Sequence, residues 1–136
     1  MIEYITNTSV GTKIYKTNSV EEVRYSILHT LDNLCMKHLF TFDGYRKAVH
    51  KTLNIKRLIP IYLDEYTQFI PVKRFRDYEH LLINHMAVSN IVEHDEGLCI
   101  QFLSGRKLYI KMSLYSWKKQ IEKLTLIRNT KVKHFH

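Results

Sequence analysis

The chain has 136 residues, of which 45% are hydrophobic and 25% charged, so its length and composition fit one globular domain. Its four glycines and two prolines exclude a collagen-like or linker-type chain, and its apolar content argues against disorder throughout. The formal net charge is +8, and no run of about 18 apolar residues predicts a membrane-spanning segment. Two cysteines are too few for a disulfide scaffold and no secretory signal is recognised, so we expect the reducing cytoplasm as the compartment.

The first predicted elements are two short strands. Weak alternation of apolar side chains predicts strands over residues 1–6 and 12–17, joined by a turn that contains Gly11. Residues 19–26 fit a helical period and a strand period equally well, so both interpretations stay open.

A helix is predicted over residues 27–39. Its apolar side chains recur at spacings of three and four and are expected on one buried face. They are Leu28, Leu31, Cys35 and Leu39. We expect residues 41–44 to end this helix and residues 45–57, which are largely basic, to form a strand and a loop.

Short apolar runs predict hairpins in the second half of the chain. Residues 58–63 and 68–72 flank a polar turn, with Pro60 and Pro71 near the outer ends, where edge positions are expected.

Further elements follow this hairpin. One or two helical turns, carrying Leu81, Leu82 and His85, are predicted within residues 73–86. A strand is predicted over residues 87–92, and the clearest hairpin joins residues 98–103 to residues 106–112.

The last predicted element is an amphipathic helix over residues 114–128, which Ser113 can cap. Its apolar stripe consists of Leu114, Trp117, Ile121 and Leu124. The pattern as a whole predicts a single α+β domain over residues 1–128, built mainly from antiparallel β hairpins with an inner helix and an amphipathic C-terminal helix. Residues 129–136 are expected to form a basic, frayed tail.

Positive charge is unevenly distributed along the chain. Residues 1–105 are electrically balanced, whereas residues 106–136 hold nine basic side chains and one acid, Glu122. Three local clusters stand out, and they are Arg46, Lys47, Lys51, Lys56 and Arg57; Lys73, Arg74 and Arg76; and Lys118, Lys119 and Lys123. Such clusters favour a polyanionic partner, above all nucleic acid, and a basic surface without a partner is the alternative.

The sequence offers little support for catalysis. Eight histidines occur without an HExxH pattern or a Cys-x-x-Cys pair, and no nucleophile elbow or phosphate-cradling glycine loop is present. Asp43, Asp64 and Glu65 could hold a metal for nuclease work, but they fall in turn-like segments where carboxylates are common. Cys35 and Cys99 are expected to be small core residues. We therefore expect no catalytic residue, no metal and no cofactor.

Several segments together resemble a known family. They are residues 12–15, 28–35, 46–48, 60–61, 69–71, 102–106 and 113–126. In this order and spacing they resemble the competence transcription factor family of Gram-positive bacteria, ComK, over about residues 10–128. The chain departs from the family pattern at Ile70-Pro71-Val72, where the family has Phe-Pro-Thr. It also lacks the Cys-Gly-Trp-Ile segment near residues 84–88 and has no long C-terminal tail, so it resembles a short member.

The resemblance implies a sequence-specific regulator that binds AT-rich double-stranded DNA through the minor groove, as dimers that pair on the DNA. Narrow A-tract grooves attract inserted arginine and lysine, and on this basis Arg46 and Lys47 are the first predicted insertions. The predicted phosphate contacts are Lys51, Lys56, Arg57, Lys73, Arg74 and Arg76, with Lys118, Lys119 and Lys123 over the backbone. We expect a nucleoid-associated protein without a membrane partner.

Two other functions remain open at this stage. A short family member could pair with a longer relative and titrate it, or bind another protein through a sheet edge. A nuclease would show metal-dependent cleavage, which we do not expect.

Overall fold

The chain folds into two antiparallel sheets and three α-helices. The computed structural model describes residues 1–72 and 80–135, and within these residues nine strands are formed. In chain order the elements are β1 (Ile2–Asn7), β2 (Thr12–Lys16), β3 (Val20–Val23), α1 (Ile27–Met36), α2 (Phe42–Leu53), β4 (Ile61–Tyr62), β5 (Gln68–Pro71), β6 (Leu81–Asn84), a single 3-10 turn (His85–Ala87), β7 (Val88–His94), β8 (Gly97–Phe102), β9 (Lys107–Ile110) and α3 (Leu114–Phe135). The predicted α+β class is confirmed.

The larger sheet has the strand order β3–β2–β1–β6–β5–β4, and the smaller sheet has the order β7–β8–β9. All pairs are antiparallel, as the hairpin patterns predict. The ambiguous segment after β2 is the edge strand β3. Pro60 directly precedes the edge strand β4, as expected. Pro71 instead ends β5, an inner strand, and the N–H of Val72 directly after it still donates to the carbonyl of Leu81 in β6.

Helix α1 is shorter than predicted, and its buried face matches the prediction at Leu31 and Cys35 only. The hydroxyl of Ser26 accepts a hydrogen bond from the N–H of His29 and caps the helix. The buried side chains are Ile27, Thr30, Leu31 and Cys35. Leu28 and Leu39 are exposed, so their predicted placement on the buried face is wrong. The helix ends at Met36, before Leu39, which therefore does not continue the stripe.

The segment predicted as strand and loop over residues 45–57 is wrong in its larger part, because helix α2 occupies Phe42–Leu53. Thr41 starts this helix rather than ending α1, since its hydroxyl accepts a hydrogen bond from the N–H of Gly44. Phe42, Tyr45 and Val49 are its buried side chains. Three apolar side chains among many basic ones are enough to dock the helix because all three fall on one face.

Leu81 and Leu82 belong to strand β6, so the predicted helical turns are wrong at these two residues. Their backbone groups pair with β1 on one side and β5 on the other. This pairing determines the strand, although the side-chain spacing fits a helix. His85 begins the single 3-10 turn. The remainder of the predicted turns lies in residues 73–79, outside the described part of the chain.

Helix α3 begins after Ser113, whose hydroxyl accepts a hydrogen bond from the N–H of Ser116 as predicted. It runs to Phe135, so the predicted helix end at residue 128 is wrong and residues 129–135 continue the helix. Trp117 and Leu124 of the predicted stripe are buried together with Gln120 and Ile127. Cys35 and Cys99 are free, buried thiols, as predicted.

Candidate nucleic-acid interface

Helix α2 places three of the predicted site residues on its exposed side. Arg46, Lys47 and Lys51 are all exposed there. Asp43, one turn earlier, binds two of them: its carboxylate lies 2.8 Å from Arg46 Nη2 and 3.0 Å from Lys47 Nζ. Hydrogen bonds from Lys47 and then Arg46 hold the pKa of the Asp43 carboxyl below its usual range. The guanidinium of Arg46 also lies 5.2 Å from the ring centroid of Phe42.

Lys56 and Arg57 lie on the segment that leaves α2. Asn54 ends the helix in the left-handed conformation, with φ of 57°. Ile55 and Ile59 are buried and fix the segment from both sides, while Lys56 and Arg57 between them are exposed. Because two apolar side chains hold this short stretch, its basic pair is presented at a defined place next to α2.

Helix α3 is joined to this segment by Lys123. The amino group of Lys123 donates a hydrogen bond to the backbone carbonyl of Arg57 at 3.0 Å. Burial lowers the pKa of Lys123, in keeping with its partly enclosed position. Lys123, a predicted contact to the DNA backbone, therefore also holds the Arg57 segment against the helix.

The other two lysines of the α3 cluster lie on different sides of the helix. Lys119 is one turn before Lys123 and on the same side, and its amino group pairs with Glu122 at 3.4 Å. Lys118 lies about 140° around the helix from Lys123, at about 100° per residue. The structure thus brings Lys119 and Lys123 together and leaves Lys118 apart.

We define the α2–α3 basic surface as the predicted site residues on the exposed side of α2, on the segment that follows α2, and on the side of α3 that carries Lys123. They are Arg46, Lys47, Lys51, Lys56, Arg57, Lys119 and Lys123. Among the described residues Lys51, Lys56 and Arg57 have no carboxylate within ion-pair distance. Such groups are the ones most available to phosphates. The predicted contacts Lys73, Arg74 and Arg76 lie outside the described residues.

Lys131 is a basic residue that the sequence reasoning did not single out. Its amino group lies 4.3 Å from the ring centroid of Phe40, 5.3 Å from that of Tyr45 and 5.4 Å from that of Tyr62. It also donates a hydrogen bond to the carbonyl of Tyr62 at 3.1 Å. Burial lowers its pKa. The three rings lie far from Lys131 along the chain, so no local pattern signals the contact.

Comparison with known proteins identifies the family. A family model described as ComK protein matches residues 1–134, nearly the whole chain. The chain belongs to the ComK family. No curated protein and no solved structure matches it. ComK membership places the chain among competence transcription factors and confirms the resemblance found in the sequence.

Carboxylates that could have supported a nuclease have other contacts in this ComK-family fold. Asp64 accepts hydrogen bonds from the N–H groups of Tyr66 and Thr67 and lies 3.6 Å from His38. Asp43 is bound by the two cations of α2. Within the described residues no three histidine, cysteine, aspartate or glutamate side chains are grouped so that they could hold a metal ion. ComK is a family of transcription factors, not of enzymes.

Over the described residues, none of the helices combines the length and apolar character needed to cross a bilayer.

Proposed function

We propose that this ComK-family protein is a DNA-binding regulator of transcription that binds AT-rich duplex DNA through the minor groove. The observation that supports the proposal is the α2–α3 basic surface, in which the Arg57 carbonyl and the Lys123 amino group join two basic elements. Seven cations on adjoining elements concentrate positive charge for a polyanion more than scattered cations would.

The width of the minor groove distinguishes helix α2 from the segment that follows it. A helix is about 10–12 Å wide with its side chains, and the minor groove is about 6 Å wide. Helix α2 itself therefore stays outside the groove. Lys56 and Arg57 lie on the non-helical segment beyond the helix, where Arg57 is part of a bend, and are the groups we assign to the minor groove. A guanidinium fits the narrow, strongly negative groove of A-tracts.

The exposed side of α2 then follows the phosphates beside the groove. Lys47 and Lys51 are one turn apart on that side and would each neutralise a phosphate. Arg46 and Lys47 reach the DNA only after they leave Asp43, an exchange between exposed charges that costs little in water. The predicted insertion of Arg46 and Lys47 is thus the alternative to insertion of Arg57.

Dimers that pair on neighbouring AT-rich boxes are part of the same proposal. Two copies related by a twofold axis would present two such surfaces to successive groove segments. This arrangement rests on the family resemblance.

Single substitutions test the assignment on AT-rich and GC-rich duplexes of equal length. We expect Arg57→Ala to lower the ratio of AT to GC affinity about tenfold or more, as loss of a specific groove contact does. Lys51→Ala should weaken binding to both duplexes equally. Lys118 carries the same charge but lies outside the α2–α3 basic surface, so Lys118→Ala is the matched control. It should change the affinity for both duplexes least.

Two outcomes would count against this assignment. If Arg46→Ala abolished the AT preference and Arg57→Ala kept it, the groove contact would belong to α2. If Lys118→Ala weakened binding as much as Lys51→Ala, the DNA would not lie on the α2–α3 basic surface.

A further inference from the structure

Leu39 adopts a backbone conformation that is unfavourable for a leucine. It lies after α1 with φ of 68°, in the left-handed region that glycine adopts without strain. Its N–H donates to the carbonyl of Met36, and the N–H of Phe40 donates to that of Cys35, so the turn is a regular helix end. The Leu39 side chain is 95% exposed. A leucine here brings strain without burial, whereas a glycine would serve the turn better.

The exposed leucine lies at a groove of about 660 Å³ between the end of α1, helix α2 and helix α3. The apolar side chains that line it include Phe40, Ala48, Leu63 and Val132. Ala48 and Val132 are exposed on the facing sides of the two helices. A cleft of this size accepts one or two large side chains of a partner.

Positive charge accompanies the groove. Lys131 lines it, with its amino group held over the Phe40 ring. Lys37 and Lys133 are exposed and directly adjoin the lining residues His38 and Val132 in sequence. Two carboxylates adjoin lining residues in sequence, and both have cationic or histidine partners: Asp64 lies 3.6 Å from His38, and Asp43 is bound by Arg46 and Lys47.

We propose that this groove binds an acidic, amphipathic segment of a partner protein, with Leu39 as the anchor that packs against the apolar side chains of that segment. Carboxylates beside those side chains would meet the lysines at the groove. A symmetric contact with a second copy is disfavoured, because it would bring the same lysines of both copies together. The proposal stands apart from DNA binding, since it uses none of the α2–α3 basic surface.

A pair of synthetic helical peptides tests the charge requirement. Both carry leucines at i, i+3, i+4 and i+7, and the remaining positions are glutamate-rich in one peptide and lysine-rich in the other. We expect saturable binding of the glutamate peptide alone, with backbone amide shifts in the NMR spectrum of the full chain at residues 38–40, 48, 63 and 131–132. Binding of both peptides alike, or shifts centred elsewhere, would overturn the proposal.

Leu39→Gly separates docking from folding. We expect this variant to bind the glutamate peptide at least about tenfold more weakly, because a large apolar contact is lost. Its melting temperature should not fall, since glycine adopts the φ of this turn readily. Leu103→Ser removes another exposed leucine, in the β8–β9 turn, and should leave peptide binding unchanged.

Three results with Leu39→Gly would overturn the proposal. Unchanged peptide affinity would show that Leu39 is not the anchor. Loss of DNA affinity would place the groove in the DNA surface, while loss of self-association in sedimentation would make a second copy its occupant. Failure of the wild-type protein to bind DNA would leave the peptide result intact.

Discussion

The hydroxyl of Tyr45 joins helix α2 to the larger sheet. It donates a hydrogen bond to the carbonyl of Pro60 at 2.7 Å and accepts one from the N–H of Tyr62 at 3.2 Å. Burial raises its pKa, because an ionised phenol at this place would lose its water. One side chain thus satisfies two buried backbone groups at the start of β4.

We predict that Tyr45→Phe lowers the free energy of unfolding by about 1–3 kcal/mol, since both backbone groups lose their partner. Urea denaturation measures the change. Tyr66→Phe is the matched control at an exposed tyrosine, where an effect within about 0.5 kcal/mol is expected. Equal effects of the two substitutions would show that the buried hydrogen bonds contribute nothing measurable.

His85 makes stability depend on pH. Its ring lies 6.4 Å from the Trp117 ring, and burial lowers its pKa below the ordinary 6.5. The unfolded chain therefore takes up a proton at a higher pH than the folded chain. The stability that His85 contributes is complete above about pH 6.5 and is lost as the pH falls below it.

We predict that His85→Phe, which keeps a ring against Trp117, flattens this dependence. Urea midpoints of both proteins at about pH 7.5 and about pH 5.5 give the comparison. The wild type should lose more stability between the two values than the variant. An identical loss in both proteins would assign the pH dependence to other groups.

Helix α2 shows where sequence reasoning succeeds and where it fails at the level of elements. Hairpins with alternating side chains, such as β8–β9, were predictable because both strands bury one face. Helix α2 was missed because its stripe holds only three apolar residues among charged ones. Thr41 is the N-cap and Asp43 an acid in the first turn, and together they are a typical signal for the start of a helix. Because Gly44 follows them, the same residues also fit the pattern of a turn.

The capping group of α2 offers a direct test. Thr41→Ala should cost about 0.5–2 kcal/mol of stability, because the N–H of Gly44 loses its acceptor. Thr41→Ser keeps an acceptor at the same place and should remain close to wild type. Chemical denaturation measures both, and an alanine variant as stable as the serine variant would contradict the assigned cap.

At the scale of the whole molecule, a buried ion pair joins the two sheets. Glu3 of β1 is fully buried, and its carboxylate lies 3.4 Å from the guanidinium of Arg106 before β9. That guanidinium also lies 5.0 Å from the ring centroid of Tyr15, which stacks on Tyr4. Such a pairing between residues far apart in sequence cannot be read from local patterns, and the same is true of the order of the strands.

We predict that Arg106→Met lowers stability by about 3–5 kcal/mol, because it leaves the Glu3 carboxylate buried without its partner. Adding Glu3→Gln should restore much of the loss, since no charge then remains to be stabilised. A double-mutant cycle measures the coupling. Strictly additive effects would mean that the pair does not hold the sheets together.

The contacts of the site were the least predictable feature of the molecule. The clusters themselves are visible in sequence, but the bond from Lys123 to the Arg57 carbonyl depends on how α3 crosses the segment after α2. Lys118, by contrast, is separated from Lys123 by the helical period itself, at about 100° per residue. Charge runs therefore predict the kind of partner, and only the fold selects which cations can act together.

Minor-groove binding is tested by the affinity of the wild-type protein for two labelled duplexes, one AT-rich and one GC-rich, measured across a range of salt concentrations. We expect tighter binding to the AT-rich duplex. With about 6–10 phosphate contacts, affinity should fall by roughly 10³ to 10⁵ between about 50 and 200 mM salt. Equal affinity for the two duplexes, or no binding at low salt, would contradict a minor-groove regulator.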